Sequence, residues 1–416
     1  MTQAITTVTF LSVGNPTGLK FTVEHGEARA LFDFGREHAP GRALFSTGLE
    51  PRRGRELADL RATGIAPELK GVYEEWDGRT SAFISHLHLD HTALVEFLNP
   101  QLPLFYPAGM EAVRAAAVEA GHLGWREPVG TPIPDRGRVR VGEIEVEFVA
   151  VDHDVPGASG FLITTPDLRI AFTGDHRWHG PHPEVTARYA DLARGADVLI
   201  QEGVMLGIQG PTPPAGELQP PPPLSEREVW SDFEKLLGER RGGLVVVNSY
   251  PMNRERLWAF GEACARAGRR FLMEPRAARI AGWEGVWSEL TEVAADPSGH
   301  CIQLGFEELP ALIDLRPPPG SVYVHSNGIP GGGFDPAWPV MEGWVSHFGL
   351  DLVRLPSTGH SFTEDIVRMV QTVAPGIVLP VHSRFPEALQ VQGIPSLLVE
   401  PLRHYTAGDL KAPAAS

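Results

Sequence analysis

The run His86-Leu87-His88-Leu89-Asp90-His91 follows directly on the apolar segment Ser81-Ala82-Phe83-Ile84, and it constrains this chain more than any other feature. Imidazole and carboxylate together suit zinc, manganese or iron, and neutral imidazole is the commonest metal ligand. One short loop cannot easily direct four ligands at a single ion. It can divide them between two neighbouring ions, with His86 and His88 serving one, Asp90 and His91 the other. An apolar strand that runs straight into such a loop calls for a rigid sheet carrying its chemistry at strand ends.

The same arrangement recurs along the chain. Glu143 to Val151 alternates acidic with apolar residues, the period-2 pattern of a half-buried strand, and reaches His153. Leu168 to Phe172 runs into Thr173-Gly174-Asp175, Val198-Leu199-Ile200 ends near Glu202, and Val245-Val246-Val247 leads to Asn248-Ser249. Val322-Tyr323-Val324 arrives at His325-Ser326-Asn327-Gly328, and Ile377-Val378-Leu379 at His382. Helical patterns lie between them. Thr363 is expected to cap a helix whose apolar face is Ile366, Met369, Val370 and Val373, stopped by Pro375. Arg254 to Ala267 reads as a second helix, with Gly268 as its C-cap.

Composition narrows the function classes. A length of 416 residues suggests two or three domains at roughly 150 residues each. A formal charge of −16 argues against non-specific nucleic-acid binding through a broad basic surface. Two cysteines, Cys264 and Cys301, form no CxxC pair, so a reducing compartment is expected. The start lacks a signal-peptide pattern and no apolar stretch reaches about 18 residues, so the expected location is cytoplasmic, with no membrane partner.

The HxHxDH run resembles that of the metallo-β-lactamase superfamily. The further residues this implies are present: His153 in Val151-Asp152-His153-Asp154, Asp175 in Thr173-Gly174-Asp175, and His382 in Pro380-Val381-His382. By the resemblance His86, His88 and His153 hold one metal, Asp90, His91 and His382 the other, and Asp175 bridges them. Asp33, in Leu31-Phe32-Asp33-Phe34-Gly35, matches the early aspartate of that fold, where structural support of the ligand loop is expected. The implied fold is an α/β (αββα) sandwich.

Asp175 and His382 are far apart in the chain, so a large insert is expected between them. Its flanks, Ala196 to Gly203 around Glu202 and Leu355 to Ser361 around His360, resemble motifs A and B of the β-CASP branch, which processes nucleic acids, and His382 resembles motif C. The implied division is a split metallo-β-lactamase domain over 1–210 and 352–405, a proline-rich connector over 211–224, an inserted β-CASP-like α/β domain over 225–351, and a tail over 406–416. The implied function is that of a ribonuclease J-like enzyme that cleaves single-stranded RNA with a metal-activated hydroxide. Asp90, His360 and Glu202 carry the catalysis in that reading. Ser361, Ser326, Asn327, Gly328 and Asn248 are the expected substrate contacts. Two divalent ions are expected, zinc first and manganese second, and a homodimer is left open. His176, His179, His182 and His325 lie near the same strand ends, but that proximity is weak evidence of function, and a structural role is expected for them. A small-molecule hydrolase acting on an ester, lactone or phosphodiester, with the insert as a lid, remains the alternative.

Overall fold

The computed structural model describes residues 4–14, 18–36, 39, 41, 43–125, 130–207, 223–287 and 290–411. The chain divides into two compact units. One comprises Met1–Arg114, Gly121–Thr212 and Gly359–Ser416, and the other comprises Ala115–Ala120 and Pro213–Thr358. Most of the proline-rich 211–224 segment lies outside the described residues.

The first unit is a sandwich of two mixed sheets. One sheet runs, in spatial order, His404–Thr406, Thr7–Ser12, Lys20–His25, Ala28–Phe32, Thr80–Phe83, Leu104–Pro107 and Thr131–Ile133. The other runs Ile377–Val381, Val198–Glu202, Arg169–Phe172, Ser159–Thr164, Ile144–Ala150 and Arg138–Val141. Alternation along each strand sends every second side chain into the space between the sheets. Phe10, Phe21, Phe32 and Phe83 from one sheet meet Phe148, Phe161 and Phe172 from the other. Phe21 and Phe172 cross edge to face with centroids 5.0 Å apart, a geometry that adds about 0.5–1.5 kcal/mol beyond burial.

The outer face of the second sheet is covered by helices Pro183–Ala193 and Thr363–Val373. In the latter, Ile366, Met369, Val370 and Val373 are buried, as the 3–4 spacing predicts. Thr363 is not its cap: Phe362 holds that position, and the Thr363 hydroxyl donates instead to the Met205 carbonyl at 3.0 Å. The expected 406–416 tail begins with structure. Thr406 closes a capping box with Asp409 on helix Ala407–Leu410, and Leu410 is buried in the sandwich core. The hydrogen bonds of the cap and one buried leucine suffice to hold a turn that its Gly and Asp content alone would not sustain.

The second unit is a five-stranded parallel sheet in the order Arg270–Leu272, His300–Gln303, Val245–Ser249, Val322–Ser326 and Asp351–Arg354. Helices Glu226–Glu239 and Arg254–Arg266 cover one face, and Leu312–Leu315 with Trp338–His347 covers the other. Both faces are therefore buried, which is why Val245-Val246-Val247 reads as a continuous apolar run. Among the described residues, no helix is long and apolar enough to cross a membrane.

Candidate metal centre

Three local devices shape the ligand loop. Strand Thr80–Phe83 ends three residues before His86, and His88 is the extended N-cap of the single turn Leu89–Thr92, which carries Asp90 and His91. Asp33, with a left-handed φ of 51°, turns its carboxylate under that loop. It accepts the Ser85 amide at 2.7 Å and the Ser85 hydroxyl at 2.8 Å, and its Oδ2 lies 2.8 Å from His91 Nδ1. A proton held on Nδ1 by that carboxylate leaves Nε2 of His91 as the donor atom. Gly35 permits the close approach of this turn, because a Cβ there would fall 1.5 Å from the Asp90 carbonyl.

Two clusters result. His86, His88, His153 and Asp175 form the first, and Asp90, His91, Asp175 and His382 form the second. Within each, one ligand atom per residue lies within 4.8 Å of every other. His88 Nδ1 is 3.2 Å from His86 Nε2 and 3.0 Å from His153 Nε2. In the second cluster His382 Nε2 is 3.1 Å from Asp90 Oδ2, and His91 Nε2 is 3.1 Å from Asp175 Oδ2. Asp175 belongs to both: its Oδ1 lies 3.2 Å from His382 Nδ1 and its Oδ2 3.6 Å from His86 Nε2. The loops carrying His153, Asp175 and His382 each follow a strand of the second sheet, so the sheet sets their spacing.

The donor set fits divalent cations. His91 Nε2 and Asp175 Oδ2 are buried without hydrogen-bond partners, an arrangement that native interiors avoid unless something else takes up the atom. Burial holds His86 well below the ordinary imidazole range and pushes His153 down to about 3, so both are neutral ligands. For His382 burial pulls the same way, but Asp175 and Asp90 outweigh it and raise the group to about 10. His91 is likewise raised by Asp175, Asp33 and Asp90 against its burial. A field that holds protons on two buried imidazoles is a field that favours cations.

His360 stands beside this centre. Its Nδ1 is 3.7 Å from Asp175 Oδ2 and 3.5 Å from Glu202 Oε2. Glu202 is fully buried and also accepts the amides of Val204 at 3.0 Å and Ser361 at 3.3 Å. Burial lowers the affinity of His360 for a proton, and Asp175 with Glu202 more than restores it.

Ser361, expected to contact substrate, is fully buried, with its hydroxyl against His176 Nδ1 at 2.9 Å. His176 in turn meets Gln201 Nε2 at 2.9 Å, so both residues are internal supports of the His360 loop. His179 stacks on Phe362 with centroids 4.0 Å apart. His182 is the N-cap residue of helix Pro183–Ala193.

Asn248, Ser326, Asn327 and Gly328 come together in the second unit, at the C-terminal ends of adjacent strands. Their polar groups are committed internally there. Asn248 Nδ2 donates to the Ile329 carbonyl at 2.9 Å, and Ser326 Oγ donates to the Leu355 carbonyl at 2.9 Å. Asn327 pairs twice with the Ser357 backbone, at 2.6 and 2.9 Å, and accepts from Arg256 at 2.7 Å. Gly328 lets Asn248 pack against it, since a Cβ would fall 1.6 Å from Asn248 Oδ1. His325 bonds the Pro330 carbonyl at 2.9 Å. In this arrangement these groups build the loop, and Asn248 and Ser326 are buried.

Asp154 is the residue the sequence reading left out. Its Oδ1 is 3.3 Å from both His88 Nε2 and His153 Nε2. Its place next to His153 was the available signal.

The chain is similar to several known proteins. A family model described as a β-lactamase superfamily domain matches residues 58–216. Ribonuclease J of Mycobacterium tuberculosis (strain CDC 1551 / Oshkosh) is 24% identical over 355 residues, covering 76% of this chain and 61% of that protein. Ribonuclease J of Pyrococcus abyssi is 24% identical over 364 residues, covering 79% of each. The chain thus spans about three fifths of the length of the first of these relatives. A solved structure of a protein of unknown function from Enterococcus faecalis V583 superposes with a TM-score of 0.80 at 26% identity, covering 97% of this chain and all of that one.

Proposed function

We propose that this chain, a member of the metallo-β-lactamase superfamily similar to ribonuclease J over about three quarters of its length, is a dinuclear-metal phosphodiesterase that cleaves single-stranded RNA. The observation that carries the reading is the pair of clusters sharing Asp175, with His360 and Glu202 beside them. We assign the interrupting segment as a β-CASP-like insert, with Glu202, His360 and His382 in its three flanking motifs. Five imidazoles among seven ligands favour zinc, with manganese second. Two buried free cysteines, Cys264 and Cys301, fit a reducing cytoplasmic setting.

Two divalent ions held by these clusters would supply an acidified water and offset charge on a phosphoryl group. The residues do the positioning. Asp175 would be the ligand shared by the two sites. Asp90, whose side chain is 25% exposed, is the site carboxylate open to solvent; it orients an incoming water and takes its proton. His360, whose hold on a proton Asp175 and Glu202 strengthen, donates to a phosphoryl oxygen as negative charge builds there. The Ser361 amide and the Val204 amide hold Glu202 in place for this.

The test is cleavage of end-labelled, 5′-monophosphorylated single-stranded RNA by protein of measured metal content, set beside His360→Ala. Cleavage lost in the variant at equal metal content supports the assignment. RNA left intact by fully loaded wild-type protein across several divalent ions contradicts it.

A further inference from the structure

Lys20 opens strand Lys20–His25 and is buried, with 3% of its surface exposed. Burying an ammonium is costly unless its protons find acceptors. Here Nζ donates to two backbone carbonyls, those of Gly18 and Gly35, each at 3.0 Å. Lysine carries three donors at the end of a flexible stem, so one side chain can bridge two separate segments.

Both glycines lie directly against the Asp90 peptide. A Cβ would fall 2.5 Å from the Asp90 carbonyl oxygen at Gly18, and 1.5 Å from it at Gly35. The residues flanking Gly35 are bonded to the ligand loop. The Phe34 amide donates to the His91 carbonyl at 2.8 Å, and the Arg36 amide donates to the Leu89 carbonyl at 3.1 Å. The Leu94 amide returns to the Phe34 carbonyl at 3.0 Å. Residues 34–36 are therefore a rail along which Leu89, Asp90 and His91 rest, and Lys20 ties that rail to the chain at Gly18. The Asp90 side chain is 25% exposed, so its aim depends on where its backbone is held. Asp33 braces the ring of His91, whereas Lys20 braces the peptide that carries both side chains.

We propose that Lys20 is a positioning residue of the second metal site. By tying the Gly18 and Gly35 carbonyls together it fixes the Asp90–His91 peptide, and with it the direction of both ligands, before an ion arrives. The inference rests on the dinuclear reading. Lys20 acts through Asp90 and His91, and its loss weakens the second site while sparing the first.

The experiment uses the full chain with two variants. Lys20→Met keeps an apolar stem of similar length and removes the ammonium, and Lys20→Gln keeps two N–H donors without the charge. Each site is read alone by chelator competition with zinc, the second in a His86→Ala background and the first in a His382→Ala background. Affinity at the second site should fall about tenfold or more in Lys20→Met and by less in Lys20→Gln, with the first site little changed. RNA cleavage by Lys20→Met should recover toward the wild-type rate as metal is raised. Equal losses at both sites, or none at either, overturn the proposal and make Lys20 a general support of the sandwich. A measurement on wild-type protein needs no variant to fold. Without metal, the Phe34 and Arg36 amides should resist hydrogen exchange as strand amides do. Rapid exchange there until metal is added also overturns the proposal, because the ion and not Lys20 would then shape the turn. Wild-type protein that binds fewer than two ions per chain overturns the dinuclear reading instead.

Discussion

Asp33 Oδ2 lies 2.8 Å from His91 Nδ1, and both side chains are fully buried. A carboxylate, an imidazole and an ion in series fix the ring's tautomer and raise its basicity as a ligand. Asp33→Asn keeps the left-handed backbone at φ 51°, which asparagine tolerates, but replaces an anionic acceptor with a neutral amide. Metal affinity at the second cluster should fall about 10–100-fold, measured by chelator competition, with that at the first cluster little changed. Equal loss at both would mean that Asp33 acts by holding the whole loop through Ser85.

Removing metal should lower stability measurably. Ligands that bind only the folded chain stabilise it by about 2.7 kcal/mol at a free concentration 100 times Kd. For a domain of this size that corresponds to a fall in Tm of about 5–10 °C on chelation, restored when metal is added back. A scan in which chelator leaves Tm unchanged would contradict tight binding at these clusters.

Arg177 and Asp152 form a fully internal ion pair one residue from His153, with Arg177 Nε 3.1 Å from Asp152 Oδ1. Asp152 also accepts the His182 amide at 2.7 Å. Arg177→Met leaves a buried carboxylate uncompensated and should cost about 3–5 kcal/mol in urea unfolding. The double replacement Arg177→Met with Asp152→Leu should lose less than the sum of the single changes, because no unpaired charge remains.

Glu202→Gln keeps the shape of the side chain and removes its charge beside His360. Activity should fall about 10–100-fold while metal content stays at the wild-type level. Loss of metal in this variant would place Glu202 among the ligand supports instead.

The His86-to-His91 run was legible because imidazoles and carboxylates rarely collect at the end of an apolar strand without a reason, whereas His153, Asp175 and His382 were reached through the resemblance to metallo-β-lactamases. Val198-Leu199-Ile200 running into Glu202, and Ile377-Val378-Leu379 running into His382, each announced a sheet edge that carries ionisable groups. The α/β character of the second unit was announced by the alternation of apolar strands and helical patterns after residue 225. Hydroxyl and amide side chains were harder to read. Ser361, Ser326 and Asn248 can bond a phosphate or a nearby carbonyl equally well, and the structure gives them nearby partners.

The central claim is that two ions held around Asp175 act together. It is tested most directly by titrating metal-free protein with zinc or manganese while following RNA cleavage and bound metal in the same samples. The account predicts two ions per chain and activity that rises with the second equivalent. Full activity at one equivalent, or no cleavage with both sites filled, would contradict it.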